Sequence, residues 1–333
     1  MFDFKRLQQV LSSEPAFRLI QAEHFIFEDQ KENWAEATVF PLALREKLQK
    51  EFPLKIEGEF FPSKDNRTIK ALLTLSDNAK IETVLMSNRG ARNTICISSM
   101  VGCPLKCSFC ATGQLGFQRN LTSGEIIDQV LYFARYLKNR GERVNNLVFM
   151  GMGEPFLNYD HVLEAIKSLN SQDTLNIGAR HFSISTAGLP TGIRQLAGEK
   201  LAVNLAVSLH APDDATRQIL MPIAKQYSLK ELFSAVDYYL GKAHRKVFFE
   251  YLLIKDKNDR DADAEALAKL MKKKLYHVNL LTYNLTGAFA PSTPERSRRF
   301  QSILEKHKIP VTLRHSFGDD IAAACGQLAG QKK

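Results

Sequence analysis

Long apolar runs are missing from this chain. No stretch approaches the roughly 18 uninterrupted apolar residues of a membrane-crossing helix. The opening residues, Met1-Phe2-Asp3-Phe4-Lys5-Arg6, bring charges in where a secretory leader would carry its apolar centre. These absences exclude a helical membrane anchor and predict a cytoplasmic protein. Cysteine is scarce as well: five in 333 residues, an odd number, three of them crowded between positions 103 and 110. Neither the count nor the crowding suits a disulfide framework, and both fit a reducing compartment in which free thiols can serve a metal. Low-complexity tracts, heptads and long repeats are also lacking. Acid is in deficit, with 36 Asp plus Glu against 45 Lys plus Arg and a net charge of +9. That is a modest pointer to a polyanionic partner such as RNA, although many basic proteins bind none.

With 44% hydrophobic and 24% charged residues, the chain can bury a large core. Residues 1–60 read as a small helical module, with apolar positions at helical spacing in Phe4, Leu7, Val10 and Leu11, in Phe17, Ile20 and Phe25, and around Leu42 to Phe52. Residues 61–92 read as a β-hairpin linker, Ile69 to Leu75 and Lys80 to Met86 joined through Ser76-Asp77-Asn78. From 93 to 333, six β-branched apolar runs alternate with helical segments: Thr94 to Ser99, Asn146 to Met150, His181 to Ser185, Leu201 to Leu209, Arg245 to Ile254 and His277 to Tyr283. Thr122 and Glu125 form a capping box that opens the helix after the first of them. The pattern predicts an α/β fold, a partial (β/α)6 barrel of the TIM type, with its chemistry at the carboxyl ends of the strands.

The sequence Cys103-Pro104-Leu105-Lys106-Cys107-Ser108-Phe109-Cys110 follows the first of these strands. Three thiolates around one small volume leave a cubane cluster one ligand short, because such clusters are ordinarily closed by four. Zinc is the alternative, since Cys-x2-4-Cys is also zinc spacing, but structural zinc sites use two such pairs and no second pair is present. The second strand runs into Met150-Gly151-Met152-Gly153-Glu154-Pro155, where two glycines allow close backbone approach and a carboxylate offers an acceptor. By itself such a turn is more often plain geometry.

Together these motifs resemble the radical S-adenosylmethionine superfamily, which implies a 4Fe-4S cluster on Cys103, Cys107 and Cys110, with an open iron for S-adenosyl-L-methionine. Further motifs resemble one branch of it: Ser98-Ser99-Met100-Val101-Gly102-Cys103, Ser185-Thr186-Ala187-Gly188, Ser208-Leu209-His210-Ala211-Pro212 and Gly318-Asp319-Asp320-Ile321-Ala322-Ala323-Ala324-Cys325-Gly326-Gln327-Leu328. The set is similar to the dual-specificity RNA adenine-C2 methyltransferases, whose sister branch methylates C8 of the same 23S rRNA adenine. The resemblance implies that Cys325 is methylated and carries the methyl group to adenine, that Cys96 resolves the cross-linked intermediate as a disulfide, and that Glu82 is a proton acceptor. It implies cofactor contacts at Gly153, Glu154, Ser185, Ser208, Leu209, His210 and Asn284, with 23S rRNA and tRNA as substrates and a flavodoxin- or ferredoxin-like reductant for a monomeric enzyme. Pro155 fits the C2 branch, whereas Leu275 to Leu280 and Ser316-Phe317-Gly318 lean towards C8. A radical enzyme acting on a small molecule and a zinc-binding RNA module are the competing expectations. Candidate RNA-binding cations are Lys47, Lys50, Lys55, Lys272, Lys273, Lys274, Arg296, Arg298 and Arg299, each individually more often an ordinary exposed charge.

Overall fold

A computed structural model describes residues 2–88, 92–287, 289–314 and 317–330. The amino-terminal part is helical, with α1 (Phe4–Val10), α2 (Phe17–Phe27) and α3 (Leu42–Glu51). Asp3 caps α1 by accepting the amides of Lys5 and Arg6. Phe2, Phe4, Phe27 and Phe52 pack edge to face and stacked around one centre, and the buried Trp34 indole donates to the Phe52 carbonyl at 2.7 Å. Phe17 and Ile20, counted on the apolar face from their spacing, instead point outward at 51% and 67% exposure, and Ala22, Phe25, Ile26 and Phe27 form the buried side of α2.

The hairpin becomes three antiparallel strands, β1 (Gly58–Pro62), β2 (Thr68–Thr74) and β3 (Lys80–Asn88). They are no separate linker, because β3 pairs antiparallel with β4 (Arg92–Cys96) and continues one ten-stranded sheet. Beyond β4 the chain makes a two-stranded ribbon, β5 (Met100–Gly102) with β6 (Phe117–Asn120), around the short α4 (Ala111–Gln114). Then α5 (Ser123–Lys138) opens on the Thr122–Glu125 capping box expected from the sequence. At Gly124 a Cβ would lie 1.5 Å from the Phe2 carbonyl, so only glycine lets the amino-terminal module sit this close to α5.

Strand and helix then alternate: β7 (Val144–Phe149), α6 (Tyr159–Asn170), β8 (Phe182–Thr186), α7 (Pro190–Gly198), β9 (Asn204–Ser208), α8 (Asp214–Leu220) with α9 (Leu229–Ala243), β10 (Val247–Leu253), α10 (Asp261–Leu270), β11 (Tyr276–Thr282), α11 (Pro294–Lys306) and β12 (Val311–Arg314). Within the ten-stranded sheet, all pairings from β4 through β12 are parallel. Six strand-helix units are therefore present, as the sequence predicts, and β12 adds a seventh parallel strand at the edge. Its four residues alternate between half-buried and exposed, too short and too polar to stand out as a strand. Outward residues of these strands bury Leu147, Phe182, Ile184, Leu205, Phe249 and Val278 beneath the helices, at roughly 1.5–3 kcal/mol for each large apolar side chain. Inward residues instead line an open lumen. No helix among the described residues is long and apolar enough to cross a membrane.

Candidate active site

The carboxyl ends of the parallel strands converge on the cysteine loop. Between β5 and α4 this loop is shaped by its own main chain: Cys103 N–H donates to the Gly116 carbonyl at 2.8 Å, Cys110 N–H to the Cys107 carbonyl at 3.1 Å, and Gly113 N–H to the Cys110 carbonyl at 3.1 Å. Ser108 N–H reaches across to the Leu220 carbonyl at 3.0 Å, which fastens the loop to the end of α8. The Phe109 ring stands edge-on to the His210 imidazole, centroids 4.8 Å apart. Burial pushes the Cys103 thiol up to about 12 and Cys107 well above its ordinary value, with the neighbouring cysteines and Glu154 adding to both. Cys103 and Cys107 thus rest as thiols, and a cation must displace their protons to bind. Among the described residues no three His, Cys, Asp or Glu side chains close on a single-ion position. Three cysteines on one loop with no second pair among the other two fit a 4Fe-4S cluster better than a structural zinc site, which uses two such pairs.

Glu154 lies across this loop. Gly153 before it has φ +104°, and a Cβ there would come 2.6 Å from the Met100 side chain, so the turn demands glycine. The Glu154 carboxylate is buried and accepts the amides of Phe156 at 3.0 Å and Ala187 at 2.7 Å. Burial nevertheless holds its pKa up to about 7. Two oxygens offer about four acceptor positions, so capacity remains for an ammonium group, which would favour the ionised form.

The remaining candidates fall into two groups. Ser185 on β8, Ser208 and Leu209 at the end of β9, and His210 sit at adjacent strand ends. His210, at φ +55°, accepts the Leu252 amide on Nδ1 at 3.1 Å, and its carbonyl accepts Asn258 Nδ2 at 2.7 Å. Burial and the nearby Arg217 depress its pKa to about 3, so the ring is neutral. Asn284, in the segment after β11, donates to the Cys325 carbonyl at 3.1 Å.

Beneath the strand ends lies a cavity of about 550 Å³ whose wall includes Cys96, Cys110, Cys325, Glu250, Asn279 and Arg314. It brings together cysteines from β4, the cysteine loop and the carboxyl-terminal segment. That last segment is held by distant partners: the Gly326 carbonyl accepts Ala111 N–H at 2.7 Å, the Leu328 carbonyl accepts the Thr112 hydroxyl at 2.6 Å, and Glu82 Oε2 accepts the amides of Ala329 and Gly330 at 2.6 and 3.1 Å. Cys325 is open to the cavity, yet its enclosing walls, and next Glu250, push its thiol up. Cys96 is buried, and that burial first and the nearby Cys325 next push its thiol up.

Two placements bear on the expected roles of Cys96 and Glu82. No disulfide exists in this structure: all five cysteines are free. Glu82 is not on the cavity wall; it is buried, paired with the equally buried Lys70 at 2.9 Å, and anchors the carboxyl-terminal segment. Several expected RNA-binding cations are engaged locally, Lys55 with Glu57, Lys273 with Asp237, and Arg296 and Arg299 with Asp261. Ser316 of the Ser-Phe-Gly motif lies outside the described residues, while Phe317 lines the cavity. Sequence reasoning missed Glu250, which an acid at the centre of the apolar run Val247–Leu253 could have flagged, and Arg217, which the Ser208-Leu209-His210 motif precedes by one short turn and helix.

The radical SAM superfamily model matches residues 97–269. The chain is 44% identical over 351 residues to a probable dual-specificity RNA methyltransferase RlmN of Chloroflexus aurantiacus, spanning 99% of this chain and 92% of that protein. It is 44% identical over 322 residues to the protein of the same description from Carboxydothermus hydrogenoformans, spanning 95% and 93%. A radical SAM methyltransferase from Sphaerobacter thermophilus superposes with a TM-score of 0.95 at 42% identity, covering 99% of this chain and 98% of that one.

Proposed function

We infer the reaction from one premise: this chain belongs to the dual-specificity RNA methyltransferase family of the radical SAM superfamily. It methylates an adenine carbon in RNA, C2 of an adenine in the peptidyl-transferase centre of 23S rRNA and of the adenine 3′ to the tRNA anticodon, through an S-methylcysteine on Cys325. The observation that carries this reading is the single cavity lined by Cys325, Cys96 and Cys110. An electron-poor ring carbon cannot attack a sulfonium methyl as an amine does, so the methyl group needs a carrier beside the radical-forming site.

Cys103, Cys107 and Cys110 would hold a 4Fe-4S cluster, and Glu154 would take the ammonium of S-adenosylmethionine, with Gly153, Ser185, Ser208, Leu209, His210 and Asn284 completing its pocket. When bound, that pair supplies one-electron chemistry. Cys325 presents its sulfur towards the cavity, positioned by Asn284, Thr112 and the Glu82 clasp. Cys96, its neighbour, would resolve the cross-link: the bond between the Cys325 sulfur and the methylene carbon breaks as the two cysteine sulfurs join in a transient disulfide, and an external flavodoxin- or ferredoxin-like donor would return both thiols by delivering two electrons, one at a time, with two protons from solvent. Glu82 reaches a substrate proton only once the clasp opens. The target base must leave its stack to enter the cavity. The enzyme works as a cytoplasmic monomer, with residues 1–60 as an RNA-contacting module, 61–92 as an extension and 93–333 as the catalytic core.

Anaerobically reconstituted protein, given rRNA and tRNA from a strain lacking the endogenous C2 enzyme, should yield 2-methyladenosine on nucleoside mass spectrometry. Finding 8-methyladenosine alone would overturn the C2 assignment, and no methylated adenine would overturn the reaction.

A further inference from the structure

Arg217 has the most conspicuous unmet demand in the molecule. It is 0% exposed, on α8, and its guanidinium ties two strand ends together: Nη2 donates to the carbonyls of Ala187 at 2.6 Å and Ser208 at 3.4 Å, and Nε to that of Leu209 at 3.3 Å. No carboxylate pairs with it among the described residues, and Nη1 is buried without a partner. A buried cation is ordinarily paired, and one held only by carbonyls is costly. The other deeply buried cation, Lys70, has Glu82 at 2.9 Å. Burial lowers the Arg217 pKa only to about 10, so it stays charged at neutral pH.

What faces it is the cysteine loop. Ser108 N–H is fastened to the carbonyl of Leu220, one turn beyond Arg217 on the same helix, and the groups whose ionised forms would favour the guanidinium charge are Cys107 and then Asp214 of its own helix. We propose that Arg217 is the counter-cation of the three-cysteine site, its free Nη1 donor directed to the sulfur of Cys107 or to the cluster bound there, where its charge favours the reduced state. This rests on the cluster reading above. The step it influences is a simple one: an external one-electron donor passes one electron to the cluster, which becomes one charge more negative, and no bond is made or broken. A fixed positive charge nearby stabilises that added charge, so Arg217 is a positioning and tuning residue that does not itself touch the RNA.

The test is the midpoint potential of the reconstituted cluster, followed by its EPR signal in a dithionite titration, for wild type, R217Q and R217K. Glutamine keeps hydrogen-bond donors without charge, and lysine keeps charge without the three-carbonyl geometry. We expect R217Q to shift the reduction equilibrium about tenfold towards the oxidised state, about 59 mV lower for a one-electron couple, and R217K to stay near wild type. Equal potentials in wild type and R217Q, or an equal drop in both variants, would overturn the proposal. Should R217Q fail to fold, a crystal structure of reconstituted wild type decides it: Nη1 on a cysteine or cluster sulfur supports the role, and Nη1 on water or carbonyl alone defeats it. A wild type that takes up no iron and sulfide defeats the cluster reading itself, and this proposal with it, an outcome separate from a loaded cluster of unchanged potential.

Discussion

The loop of Cys103 to Cys110 and the segment of Cys325 both present sulfur at the same end of the barrel, yet they are built in opposite ways. The loop is shaped largely by bonds between residues three apart, Cys110 to Cys107 and Gly113 to Cys110. The segment has a local turn too, Gln327 N–H to the Ala324 carbonyl at 3.0 Å, but its grip on the rest of the protein comes from Asn284, Ala111, Thr112 and Glu82, up to 248 positions away. A site that must chelate a rigid body gains from a preformed loop. A residue that must accept a group and deliver it elsewhere gains from anchors that can be released separately.

The most severe way to break this contrast is to remove a sulfur from each side. Cys110→Ala should abolish iron binding and activity together, measured as iron and sulfide per chain. Cys325→Ala should keep the cluster and lose all methyl transfer; retained methylation would sink the carrier role. Next comes the clasp. Glu82→Gln strands Lys70 without its counter-charge and should cost about 3–5 kcal/mol in a denaturant titration of the metal-free protein. Replacing both Lys70 and Glu82 with apolar residues of similar size should recover most of that loss while leaving hydrogen exchange at 325–330 fast, since the two tail amides would still lack their acceptor.

This contrast also explains what could be read in advance. The cysteine loop and the capping box at Thr122 are local patterns that spacing located, and Glu154 stood out once its turn was read beside the cysteine loop as a family resemblance. The six parallel strands were legible because Ile95, Leu147, Ile184, Leu205, Phe249 and Val278 sit in apolar runs of strand length. Hidden from the sequence was whatever depends on a distant partner. Glu82 reads as an ordinary polar strand residue, and only pairing of β3 with β2, which sets Lys70 within reach, turns it into a buried anchor. Arg217 looks like one more helix cation until α8 packs over the ends of β8 and β9.

A smaller effect, of about 2 kcal/mol, tests the rigid side through pH. His210 has a folded pKa of about 3 against an ordinary 6.5, so its contribution to stability is complete above about pH 6.5 and is lost as pH falls towards 3. At pH 5 the metal-free wild type should therefore lose about 2 kcal/mol more than His210→Asn, relative to pH 7; parallel profiles would show that the ring is not held neutral. The gentlest change is Thr112→Val, which removes one hydroxyl from the Leu328 carbonyl. It should cost about 1 kcal/mol and speed hydrogen exchange in residues 325–330 without altering iron content.

The clasp has one more consequence, for how this protein's sequence is free to vary. Glu82 grips the main-chain amides of Ala329 and Gly330 and no side chain of either residue. Such a grip cannot tell one amino acid from another at position 329, where drift through small, polar or charged residues should leave it intact. At that position it is intolerant of one substitution only, proline, which has no amide hydrogen to give.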